Sequence, residues 1–230
     1  MSNKVWHLVA TLAVVAGVPG LSFAAPTFVQ SNLPSIPSGF SSIPVAIDFE
    51  SLTTSNTPIT NQFASQGVTF SGGLFSGNSA NGAPQLDPSG HVVAENFLLP
   101  LSIPQNPITI SLNFARTQVG FDLSGFLFGA VHVTTFLNGV PTGSKTILGG
   151  LFGPFFPLGH GIFLGITDPN GIDQIQLTST LGFLPNALFL DDIRLGSRVP
   201  EPTSLAVWAM LGLSGAGWWR RRQSSNQLVS

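Results

Sequence analysis

The run PITISLNF (107–114) limits what this chain can fold into more than any other feature. Ile108, Ile110, Leu112 and Phe114 alternate with Thr109, Ser111 and Asn113. A period of two places all the apolar side chains on one face of an extended chain, which is the pattern of a half-buried antiparallel strand. Val119, Phe121 and Leu123 repeat it, as do Ile175 and Leu177. Val45, Ile47 and Phe49 face one way, with Asp48 and Glu50 on the other side. No 3.6-residue period survives between residues 45 and 197.

Turn chemistry punctuates the alternation. Asn138-Gly139 tolerates positive φ at both central positions of a two-residue hairpin. Asp87-Pro88-Ser89-Gly90 and Asp168-Pro169-Asn170-Gly171 place Pro second and Gly fourth, as a four-residue turn prefers. The expectation is an all-β domain at 45–197, with about nine to eleven strands in a two-sheet antiparallel sandwich of jelly-roll type. A closed barrel is the competing architecture. Residues 25–44, rich in Pro and Ser, read as a lead-in rather than part of the domain.

Charge narrows the partners. Between Ala25 and Val199 four basic residues (Arg116, Lys145, Arg194, Arg198) stand against nine acidic ones. Nucleic acid is disfavoured as a partner, because phosphate binding needs clustered Lys and Arg. Charged residues are 8% of the chain, so Ser, Thr, Asn, Gln and Gly must supply most of the wet surface. There is no cysteine, which leaves a metal ion as the staple a small exported domain can still use. Tyrosine is absent and all four tryptophans lie in the terminal segments, which weakens simple sugar stacking.

Both ends are apolar. Residues 1–24 combine Lys4, the apolar stretch from Leu8 to Val18 and the small-residue exit Ser22-Phe23-Ala24. That is a signal-peptide pattern with cleavage by signal peptidase after Ala24. At the other end, Thr203 to Trp219 carries no charge and is followed by Arg220, Arg221 and Arg222, with a polar tail at 223–230. The stretch approaches the ~20 residues needed to span a bilayer, and the arginines would stay cytoplasmic.

Pro200-Glu201-Pro202, the apolar stretch and the arginine cluster (198–222 together) resemble the PEP-CTERM sorting signal of Gram-negative envelope proteins. That resemblance implies transit across the inner membrane and a pause on the C-terminal helix. Processing by an exosortase near the Pro-Glu-Pro would follow, leaving the protein at the cell surface or outside the cell. The two prolines fit a break between domain and helix, since they remove backbone donors and favour extended chain. IDFESL, QFASQGVTFSGG, FLGITDPNGIDQIQLTS and NALFLDDIRLG are similar to the β-sandwich domains attached to such signals.

Candidate chemistry is sparse. His91, His132 and His160 form no zinc-type pair, and no GxSxG elbow occurs. Glu95 and Asp122 are the carboxylates a glycosidase would draw on, but nothing in the sequence sets their separation. Asp48 and Glu50 near the first strand, and Asp191 and Asp192 near the last, would meet if those strands lie side by side. Four such oxygen donors suit a structural Ca²⁺. The competing arrangement is a Glu50–Arg194 cross-strand pair with capped aspartates. The functional expectation is a non-catalytic surface or matrix protein, which the resemblance associates with exopolysaccharide and biofilm. The alternatives are a polysaccharide-active hydrolase and a protein-binding adhesin using the apolar stretch from Leu148 to Gly165.

Overall fold

In a computed structural model of the chain, the described residues are 24–52, 57–78, 92–95, 107–125, 130–148, 161–180 and 188–199. Residues 1–23, the Pro200-Glu201-Pro202 motif, the 203–219 stretch, Arg220, Arg221 and Arg222 lie outside them, as do His91, His160, the Asp87 turn and residues 149–160. In chain order the elements are β1 (Thr27–Asn32), a helical turn α1 (Ser38–Ser41), β2 (Val45–Ile47), β3 (Pro58–Ile59), β4 (Val68–Ser71), β5 (Leu74–Asn78) and β6 (Val92–Glu95). They continue with β7 (Ile108–Gly125), β8 (Ala130–Leu137), β9 (Val140–Leu148), β10 (Ile162–Thr180) and β11 (Leu188–Leu195). A single 3-10 turn, Ala64–Gln66, precedes β4. Among the described residues no helix is long and apolar enough to cross a membrane.

The fold is all-β, antiparallel and sandwich-like, but its hydrogen bonding does not divide into two sheets. The strand order β3-β5-β6-β11-β7-β10-β8-β9 is continuous, with β1 on β10, β2 on β11 and β4 on β7. The reason is the length of β7 and β10, at 18 and 19 residues. The first half of β7 lies between β4 and β10, and its second half between β11 and β10. The first half of β10 lies between β1 and β7, and its second half between β8 and β7. Each long strand therefore serves both layers.

The change of layer shows in which residues are buried. Ile108, Ile110 and Leu112 face the core in the first half of β7, whereas Val119, Phe121 and Leu123 do so in the second. Even positions have given way to odd ones. Phe114, expected inside from the alternation, is instead 39% exposed at this crossing. In β10 the same switch uses Asp168-Pro169-Asn170-Gly171. The expected chain reversal is not there: the four residues lie within β10, where the register with β7 shifts between Thr167 and Ile172. Asp168 Oδ1 accepts the Asn170 backbone N–H at 2.9 Å and its side-chain amide at 3.0 Å, and Gly171 takes a φ of 109°. Turn chemistry here kinks a strand rather than ending it. The Asn138-Gly139 hairpin forms as expected, with φ values of 53° and 74° between Leu137 and Val140.

Residues 25–44 are not a lead-in. β1 pairs with β10 from Thr27–Thr167 to Asn32–Ile162. The chain then crosses the outer face of β10, β7 and β11 as a strap and enters β2, which pairs with β11. Phe40, buried at the middle of this strap, packs edge-on against Phe163 at 5.4 Å between centroids. Two facing glycines make room for it. A Cβ on Gly165 would fall 2.5 Å from the Phe40 ring, and one on Gly120 would fall 2.6 Å from Phe163. The expected adjacency of the Val45 strand and the closing strand is thus present.

Candidate functional site

Beneath the strap the outer face of β7 and β11 carries charge. Asp122 follows Phe121 and precedes Leu123, both in the core, so its own side chain points to the opposite face. A sequence reading leaves such a carboxylate in solvent. It is buried instead, at 5% exposure, on the face that the strap crosses. Across the ladder its register partner is Asp191, itself 4% exposed. Directly opposed side chains on one face have Cβ atoms roughly 4.5–5.5 Å apart, so two carboxyls share one enclosed space.

A bulge sets the rest of the cluster. β11 carries one extra residue between Asp191, opposite Asp122, and Arg194, opposite Gly120. Asp192 absorbs the insertion with a φ of 48°. Its N–H donates to Asp191 Oδ1 at 2.9 Å. Leu190 and Ile193 consequently both reach the core, three positions apart, and Asp191 turns to the strap side rather than inward. Arg194 donates from Nη1 to the Ile43 carbonyl at 2.9 Å, which fastens the far end of the strap. From Nη2 it reaches Asp192 Oδ2 at 3.4 Å.

The electrostatic consequence falls on Asp122. Burial first, and the Asp192 carboxylate second, push its carboxyl up to about 7, against an opposing pull from Arg194. Its Oδ1 is buried with no hydrogen-bond partner. Asp122 therefore holds its proton up to about neutral pH. Both carboxyls are buried, so a glycosidic bond has no approach to them.

The four expected metal ligands do not gather. Asp48 and Glu50 are exposed on the turn after β2, where Asp48 Oδ1 accepts the Glu50 N–H at 3.2 Å. Phe49 between them takes a φ of 59° to enter the core. Asp191 and Asp192 sit on the strap side of β11. Among the described residues no group of three or more His, Asp or Glu side chains is placed to hold a metal ion. The Glu50–Arg194 alternative is not formed either, since Arg194 takes Asp192 and Ile43. Glu95 lies on β6 opposite Phe75 and Phe189, and β11 stands between it and β7, where Phe189 is opposite Ser124. His132 meets Thr146 at 3.1 Å across β8 and β9. The Ala24 carbonyl accepts the Asn170 amide at 3.0 Å.

No protein-family model matches the chain, and no curated protein does. Among solved structures, the chain is similar to the enzymatically active domain of tailspike protein 4 from bacteriophage CBA120, at 9% identity and a TM-score of 0.34 over 56% of this chain. The chain spans 19% of that protein's length. It is also similar to the carbohydrate-binding module TmCBM61, solved with β-1,4-galactotriose, at 14% identity and a TM-score of 0.28, covering 62% of this chain and 99% of that one. At TM-scores this low neither likeness carries an argument about this chain.

Proposed function

We propose that this chain is an exported protein, sorted through its C-terminal stretch by an exosortase, whose sandwich acts at the cell surface or in the extracellular matrix as a non-catalytic element associated with exopolysaccharide. One observation carries the reading: where the fold closes. After β11 the chain runs on beside β7, and the Val199 N–H donates to the Ala115 carbonyl at 2.8 Å. Pro200 follows at once. Cleavage at the Pro-Glu-Pro would thus fall just after a residue that is itself hydrogen-bonded to β7, and would leave the bonds among the described residues in place. Removal of residues 1–24 by signal peptidase would cost the exposed Asn170–Ala24 bond and leave β1 paired from Thr27 onward.

The burial of Asp122 supports the non-catalytic part, since this carboxyl with its raised proton affinity is out of a polysaccharide's reach. The test of sorting is replacement of Arg220, Arg221 and Arg222 by neutral residues. The expected result is poorer surface retention and an altered mature mass, because the arginines hold the tail on the cytoplasmic side. Unchanged display together with unchanged mass would overturn the reading.

A further inference from the structure

Where β7 changes layer, the tail of β11 brings two arginines face to face. Arg116 and Arg198 are partners in an isolated antiparallel bridge, so their side chains leave the ladder on the same side. Arg198 is exposed and lies over the Phe114 ring, 4.2 Å from its centroid. Arg116 is anchored from Nη1 to the Gly196 carbonyl at 3.1 Å, which leaves the rest of its guanidinium fork for another partner. Among the described residues no carboxylate pairs with either arginine. Like charges directly opposed destabilise a sheet. Burial, and then the Arg198 charge, pull the Arg116 guanidinium below its ordinary value.

We infer that Arg116 and Arg198, with the exposed Phe114 beside them, form a binding site for a carboxylate-bearing sugar, a uronate unit of an acidic polysaccharide. A planar guanidinium fork matches a carboxylate, and two forks on one side can clamp it. The open part of Phe114 offers an apolar edge to a sugar ring. Polyanions of dense charge fit poorly, because two arginines on a body of acidic balance make no extended positive track.

The inference rests on the surface-polysaccharide reading above, and its test is independent of sorting. The full-length chain, purified in detergent, is titrated with a glucuronate trisaccharide and with the glucose trisaccharide of the same linkage. The uronate is expected to bind at least about tenfold more tightly, and to weaken as salt is raised. Arg198→Gln, at an exposed position, should remove most of that preference; Arg116→Lys keeps the charge but loses the fork, and should weaken binding too. Equal binding of the two sugars, an unaffected Arg198→Gln variant, or full displacement by an equal concentration of sulfate would overturn it. Binding to the neutral sugar alone would overturn the uronate site and leave the surface reading standing, whereas failed sorting would leave the uronate result untouched.

Discussion

The β7–β11 pair sets two opposite electrostatic situations on one side of its ladder. At one end Asp122, Asp191 and Asp192 crowd a single arginine beneath the strap. At the other, Arg116 and Arg198 face each other, and among the described residues no carboxylate pairs with them. Six residues of strand separate Asp122 from Arg116, roughly 20 Å. The two ends solve the problem of like charges differently. The covered end cannot use water, so it keeps a proton on Asp122. The open end uses solvent and the face of Phe114. Cover, rather than charge count, decides whether a group titrates near neutrality.

The contrast breaks most severely if the cover is removed. Phe40→Ala should cost about 3–5 kcal/mol, since a buried aromatic is lost and the glycines beneath it cannot refill the space. The same change should lower the apparent pKa of Asp122 toward its ordinary value by admitting water. Chemical denaturation and carboxyl titration by NMR measure the two effects. A small stability loss with an unmoved titration would show that the strap is not what seals the carboxyls.

Next in size is the pH dependence. Folding raises the Asp122 carboxyl from 3.8 to about 7, so between those values the native chain holds a proton that the unfolded chain has released. Its contribution to stability is full below pH 4, declines as the pH climbs through the folded value, and is gone above it. The span amounts to at most about 4 kcal/mol. Asp122→Asn should flatten the profile between pH 4 and 8. A wild-type melting temperature that does not fall across that window would contradict the assignment.

The smallest effect belongs to the open end. Arg198→Gln should change stability by less than about 0.5 kcal/mol, with a slight gain from relieved repulsion. A loss above about 1 kcal/mol would show that the stack on Phe114 holds the fold together, and would place the two ends on a more equal footing.

Much of the fold was legible from period and turn chemistry. Ile108 to Leu112 and Val119 to Leu123 announced the two halves of β7, and Asn138-Gly139 announced the β8–β9 hairpin. What escaped was long-range. TFVQSN has no clean alternation, so β1 could not be told from a linker, and one Phe in a Ser/Pro run says nothing of the glycines that receive it. Gly120 and Gly165 become meaningful as a pair through the register of β7 and β10. The candidate site was illegible for the same reason. Asp122 looked like a solvated strand residue because its cover comes from residues about 80 positions earlier in the chain. The bulge at Asp191 and Asp192 likewise reversed the face that strict alternation assigns.

The position of β11 has a consequence for timing. It is the last described strand to be made, yet it sits between β7 on one side and β2 and β6 on the other. Until it arrives, β2 lacks its partner and the strap has no arginine to hold it. The final described strand therefore acts as a latch, joining β7 to β2 and β6 and fastening the strap through Arg194.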